Sequence, residues 1–178
     1  MLFRSIEFLL DKNNDFFFME MNTRLQVEHP VTEMITGIDL VKEMIKVSFG
    51  EKLSMTQDDV KFSGHAIECR INAEDPETFI PSPGQITDYH APGGFGVRVD
   101  SSAYQGWVIP PNYDSMISKI IAYDKDRYSA ILKMLGALDE SVIEGIKTNI
   151  PLHRRVLRSL RYQQAELNTS LLKYFVKI

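Results

Sequence analysis

The chain of 178 residues carries 20 Lys and Arg against 24 Asp and Glu, a net charge of -4, and its pI is about 5.6. That balance gives no general pull toward nucleic acid or an anionic membrane, and no apolar run approaches the roughly 20 residues of a membrane span. The single Cys69 excludes an intramolecular disulfide and a cysteine-rich zinc site, while 44% hydrophobic residues are enough for a buried core.

Residues 1–7 lack the shape of a signal peptide, because Glu7 interrupts them early; with one cysteine, this fits a reducing cytoplasm. Residues 4–10 and 16–21 are rich in Phe, Leu and Ile and read as two strands of a hairpin. Lys12-Asn13-Asn14-Asp15 supplies the turn, since Asn and Asp tolerate left-handed backbone. With Asn13-Asn14 as the loop, residue 10 faces 17 and Glu7 faces Glu20. Like charges at that separation repel, and a divalent cation between them would reverse the sign.

Glu20, Asn22, Arg24, Gln26 and Glu28 recur at every second position. An extended ribbon would turn all five to one face, with Met21, Leu25 and Val27 on the other. Glu7 and Glu20 are hard oxygen donors suited to Mg²⁺ or Mn²⁺, and Asn22 adds an oxygen or a phosphate contact. Arg24 offers a planar fork for a carboxylate, bicarbonate or phosphate, with Gln26 beside it. Glu28 is placed to act as a general base. Together they suggest phosphoryl transfer to a small oxyanion; the plain alternative is a solvated strand face.

Pro30 should hold His29 extended. Gly37 and Asp39 mark a break and an N-cap, Leu40, Val41, Met44 and Ile45 have helical spacing, and Gly50 closes that helix. A composition shift near residue 60 divides the chain into expected domains 1–60 and 61–178. Residues 61–72 read as a strand, 75–84 as a Pro- and Gly-rich loop, and 85–90 and 97–100 as strands joined by a hairpin turn at Gly93-Gly94-Phe95-Gly96. That glycine run precedes a strand, so it is not a phosphate loop feeding a helix. Residues 116–123 read as a strand and 126–140 as a helix with Ile131, Leu135, Leu138 and Val142 on one stripe. Residues 149–160 form a helix with Pro151 in its first turn, and 170–176 a short helix.

Arg70 lies in an apolar-alternating strand with Ile67 and Ile71. Facing inward it needs an anionic partner, either developing charge in a reaction or Glu68, Glu74 or Asp75. Cys69 reads as a small buried residue. The histidines at 29, 65, 90 and 153 lack metal-ligand spacing, with His29 placed to orient Glu28. Met19, Met21, Met34 and Met44 read as core filler. Arg154, Arg155, Arg158 and Arg161 read as a solvated helix face.

The run Glu-Met-Asn-Thr-Arg-Leu-Gln-Val-Glu-His-Pro-Val-Thr-Glu at 20–33, with Arg-Ile-Asn-Ala-Glu-Asp-Pro at 70–76 and Tyr-Asp-Ser-Met at 113–116, closely resembles biotin carboxylase, the ATP-grasp subunit or domain of acetyl-CoA carboxylase and of the propionyl-CoA and pyruvate carboxylases. Other ATP-grasp ligases lack Gln26-Val27-Glu28-His29-Pro30. The resemblance implies an α+β (α/β) fragment: the end of an ATP-grasp domain, then a C-terminal domain of antiparallel sheet and helices. It implies Glu7, Glu20 and Asn22 as ligands of Mg²⁺ or Mn²⁺ (two ions with ATP). Arg24, Gln26 and the Val27 backbone would clamp bicarbonate, and Glu28 would be the base. Arg70 would steady carboxyphosphate and the biotin enolate, and Thr169 would touch adenine.

Phe95 and Arg98 fall where the family forms its homodimer. The implied partners are biotin on its carboxyl carrier protein and the carboxyltransferase subunits, with no nucleic acid or membrane. The hairpin turn looks one residue longer than in close relatives. The family's N-terminal domain, glycine-rich lid, ATP lysines and adenine hinge do not match any part of these residues, so the isolated chain is expected to be inactive. A non-catalytic dimerisation module is the competing reading.

Overall fold

A computed structural model describes residues 5–176. The chain divides into two compact units, Met1–Ser63 and Gly64–Ile178. Among the described residues no helix is long and apolar enough to cross a membrane.

The first unit opens with the hairpin β1 (Ser5–Leu10) and β2 (Phe16–Asn22). The Asp11 carboxylate closes its turn by accepting from the N–H groups of Asn13 at 2.7 Å and Asp15 at 3.0 Å, and Asn14 takes the expected left-handed φ of 67°. The observed register differs from the expected one at the tip, where Leu10 faces Phe16 rather than Phe17. A bulge between Glu7 and Phe8 then absorbs Met19 as an extra residue, and Glu7 meets Glu20 as expected. Phe8 packs edge-on against Phe16 and Phe18, with centroids 5.4 and 6.3 Å away.

Helices α1 (His29–Thr36) and α2 (Leu40–Ser48) follow. Helix α1 corrects the expectation of an extended His29. Pro30 sits in the first turn, where its missing N–H costs nothing and its fixed φ suits a helix. Gly37 ends α1 at φ 71° and Asp39 caps α2 by accepting from the Lys42 N–H. Glu33 of α1 also accepts from the Leu40 N–H at 2.8 Å, which joins the two helices.

The second unit is built on a three-stranded antiparallel sheet in the order β3 (His65–Asn72), β8 (Met116–Asp124), β6 (Val97–Ser101). Strand β3 starts at His65 rather than residue 61. Gly64 before it takes φ +65°, and a Cβ there would overlap the Asp124 carbonyl and the Tyr123 ring. Between β3 and β6 lie β4 (Gly84–Gln85) and β5 (Asp88–His90); β7 (Val108–Ile109) precedes β8 and pairs with β4.

The expected hairpin between 85–90 and 97–100 does not form. Strand β5 pairs instead with β9 (Val142–Glu144), and β6 pairs with β8. The switch occurs at Ile86, bonded to Trp107, and Thr87, bonded to Glu144.

Ile67, Cys69 and Ile71 of β3 and Ile120 and Ala122 of β8 are buried with Ala130, Ile131, Met134, Ala137 and Leu138 of α3 (Arg127–Glu140). Burial pushes the Cys69 thiol up to about 12, so it is inert packing. Of the expected stripe, Leu135 is only partly buried and Val142 has left the helix for β9; Met134 and Ala137 complete the face, as the 3.6-residue period requires. The expected helix 149–160 splits into α4 (Ile150–Arg158) and α5 (Leu160–Gln163) at Ser159, whose hydroxyl caps α5. A 3₁₀ turn at Leu171–Tyr174 replaces the last helix. The arginine face is ion-paired: Arg154 and Arg158 meet Asp139 at 2.7 and 3.1 Å, Arg155 meets Glu77, and Arg161 meets Glu166.

Candidate functional site

The strand β2 ends at Asn22, so the expected ribbon through Glu28 is not continuous. Residues 23–28 form a bent loop leading into α1, and side-chain alternation does not govern where Arg24, Gln26 and Glu28 point. Folding of that loop brings the same side chains together by another route. Glu7 Oε1 accepts from Asn22 Nδ2 at 2.7 Å and from Gln26 Nε2 at 2.5 Å, and Asn22 Nδ2 also lies 3.3 Å from Glu20 Oε1. Two carboxylates and two amides therefore converge at the base of the hairpin.

Beside them is a cavity of about 240 Å³ lined by Ser5, Arg24, Leu25, Gln26, Glu28, His29, Thr32 and Leu40. Arg24, Gln26 and Glu28 thus share one concave wall. Val27 lies in the turn just before α1, and Glu28 is the N-cap residue of that helix, although its side chain does not cap it. His29 donates through Nδ1 to the Gln26 carbonyl at 2.8 Å, reinforced by its backbone N–H at 3.3 Å, and so it fixes the turn 26–29.

The donor set favours a hard divalent cation. Glu7 and Glu20 face each other across the hairpin, and oxygen ligands of this kind suit Mg²⁺. No group of three or more His, Cys, Asp or Glu converges among the described residues. Any ion here would complete its shell with the Asn22 oxygen, water or ligand phosphates.

In the second unit Arg70 lies on β3 with its side chain half exposed, not inward. Its Nε is 3.9 Å from Glu68 Oε1, while Glu68 is nearly buried. Around it sit two residues that the sequence pattern did not single out, Asn149 and His153. Both bond the Arg70 carbonyl, at 3.0 and 2.9 Å. Burial holds the His153 imidazole below the usual histidine value, only partly offset by that hydrogen bond. In the sequence, Asn149 stands just ahead of Ile150-Pro151 at the start of the helix.

Phe95 is 94% exposed, with the Lys133 ammonium 5.4 Å from its ring centre. Arg98 forks onto Asp100 at 2.8 and 2.9 Å. Burial of Asp100 works against its charge, but the Arg98 fork and Lys119 hold its carboxyl below the usual range. Thr169 is exposed in the turn before Leu171–Tyr174.

Residues 68–174 match the biotin carboxylase C-terminal domain, and residues 4–56 match the ATP-binding domain of the carbamoyl-phosphate synthase large chain. The chain is 56% identical to a biotin carboxylase of Pseudomonas aeruginosa over 164 residues, covering 92% of the chain and 36% of that protein. It is 57% identical to biotin carboxylase 1 of Bacillus subtilis over 173 residues, covering 96% of the chain and 38% of that protein. The biotin carboxylase domain of a Hydrogenobacter thermophilus 2-oxoglutarate carboxylase, solved as a dimer with MgADP, ADP and bicarbonate, superposes at a TM-score of 0.94. It shares 45% identity and covers 96% of the chain and 38% of that domain chain.

Fold and matches define an α+β chain of the ATP-grasp, biotin carboxylase type. More narrowly, the chain belongs to the biotin carboxylase family. It spans about 36% of the length of the curated biotin carboxylase it matches.

Proposed function

We propose that this chain supplies the metal-binding and bicarbonate-clamping part of a biotin carboxylase site. The observation that carries the reading is the meeting of Glu7, Glu20, Asn22 and Gln26 beside the cavity lined by Arg24, Gln26 and Glu28. The Hydrogenobacter domain holding MgADP and bicarbonate supports it. Residues 1–60 complete the ATP-grasp domain, and 61–178 form the carboxylase C-terminal domain.

In this reading Glu7, Glu20 and Asn22 would hold Mg²⁺ or Mn²⁺, which when bound would supply charge neutralisation for the ATP phosphates. Arg24 and Gln26, with the Val27 N–H, orient bicarbonate so that one oxygen faces the γ-phosphorus. Glu28 takes the bicarbonate proton as the oxygen attacks. ADP leaves and carboxyphosphate forms, which breaks down to CO₂ and phosphate. The released phosphate takes the biotin N1 proton, N1 attacks CO₂ to form the N–C bond, and Arg70 stabilises the negative charge on the biotin ureido oxygen. Thr169 contributes to the adenine side.

The other reactants and partners are ATP, biotin on its carboxyl carrier protein, and carboxyltransferase subunits, in a cytoplasmic acetyl-CoA carboxylase of fatty acid synthesis. Phe95 and Arg98 form a homodimer contact. The isolated chain has negligible carboxylase activity, because this stretch holds only one wall of the nucleotide cleft. A dimerisation module built on the exposed Phe95 is the second reading, and it would leave Glu28 dispensable.

The test is a graft. The matching 36% of the Pseudomonas enzyme is replaced by this chain, and ATP-dependent carboxylation of free biotin is measured. The reading predicts an active chimera that Glu28→Gln silences by roughly 10²-fold or more. A folded, ATP-binding chimera without activity, or one indifferent to Glu28→Gln, contradicts it.

A further inference from the structure

We propose that Asn149, assisted by His153, is a positioning residue for Arg70, an inference that rests on the role proposed for Arg70. Among the described residues β3 is an edge strand, with β8 as its only neighbour in the sheet order. The polar groups of an edge strand on its open side need other partners.

Asn149 supplies them as an adjoining strand would. Its backbone N–H donates to the Asn72 carbonyl at 3.2 Å. Its Oδ1 accepts from the Asn72 N–H at 2.9 Å, and its Nδ2 donates to the Arg70 carbonyl at 3.0 Å. His153 Nε2 donates to the same carbonyl at 2.9 Å. On the other side β8 pairs Arg70 with Lys119. The Arg70 carbonyl is thus held on the open side by Asn149 and His153, and the root of its guanidinium arm with it.

A second observation points the same way. Asn149 is the N-cap residue of α4, and Asn is among the best caps, yet its side chain makes no cap bond. The amide is diverted from the helix to the strand. Asn149 is only 8% exposed, so water is a poor substitute for the bonds to β3. Breaking a local preference in this way is expected where a site needs a residue held still. Catalysis tolerates little displacement of a charged group that meets the reacting atoms.

The test uses the ¹⁵N-labelled chain and four substitutions. Asn149→Ala removes the clamp. Asn149→Ser removes it while restoring a capping hydroxyl to α4, so the helix regains what β3 loses. Asp126→Ala uncaps α3, where Asp126 accepts from the Ser129 N–H, and leaves β3 alone.

Both Asn149 variants are expected to shift the Arg70 Nε–Hε signal, lower its order parameter, and speed exchange of the Asn72 N–H at least tenfold beyond neighbouring β3 amides. Asp126→Ala is expected to leave the Arg70 signal in place. Asn149→Asp keeps the acceptor for Asn72 and provides the milder variant if the others do not fold. An Arg70 signal unchanged in Asn149→Ser or Asn149→Asp overturns the proposal. If Arg70 is released by these variants but Arg70→Gln leaves the chimera's carboxylation of free biotin unchanged, positioning holds and the assigned role of Arg70 falls.

Discussion

The pairing of Glu7 with Glu20 predicts a change whose sign depends on a cation. Glu20→Gln removes one of two facing carboxylates but keeps an oxygen to accept the Asn22 amide, 3.3 Å away. Cross-strand Cβ atoms sit about 5 Å apart, and two unit charges at that range in a water-like dielectric repel by about 0.8 kcal/mol. Without divalent ions, Glu20→Gln therefore stabilises the hairpin by about 0.5–1 kcal/mol. With Mg²⁺ at ten times its Kd, the native pair gains about 1.4 kcal/mol from binding, and the variant loses most of that. The order of stability crosses.

Tyrosine and tryptophan occur only beyond residue 63, so fluorescence does not see this unit. Hydrogen exchange of the β1 and β2 amides does. Slower exchange in Glu20→Gln with EDTA, and faster exchange than the unmodified chain with Mg²⁺, is the expected pattern. Equal protection of both proteins by Mg²⁺ refutes the reasoning.

His153 gives a pH dependence. Its folded pKa lies below the unfolded value, so the unfolded chain binds the proton more readily. Stability is complete above about pH 6.5 and falls as pH drops through the folded value; urea unfolding followed by Trp107 fluorescence on either side of that value should show this, and His153→Gln should flatten it. Ile71 is fully buried in the second unit, and Ile71→Ala should cost about 3 kcal/mol by the same assay; a loss under about 1 kcal/mol would mean the site collapses without a cavity.

The Glu7–Glu20 encounter was legible because charge placement in a hairpin is set by register. The turn, however, is longer than a two-residue loop, and the bulge at Met19 restores the pairing that the longer turn displaces. The ribbon was legible as a set of residues but not as a conformation. Pro30 marks a helix start as readily as it marks an extended predecessor, and the helix at His29 bends the preceding loop so that Gln26 reaches Glu7. Partner choice among β5, β6, β8 and β9 was hidden because period-2 patterning says which face is buried, not which strand lies alongside. Asn149 was hidden for a similar reason: its partners on β3 are 77 and 79 residues away.

The central claim is that this chain carries a bicarbonate clamp. Titration of the ¹⁵N-labelled chain with bicarbonate at constant pH tests it most directly. The account predicts saturable shifts confined to the Val27 N–H, the Gln26 side-chain amide and Arg24 Nε, all abolished by Arg24→Ala. Shifts that are absent, or that persist in Arg24→Ala, contradict it.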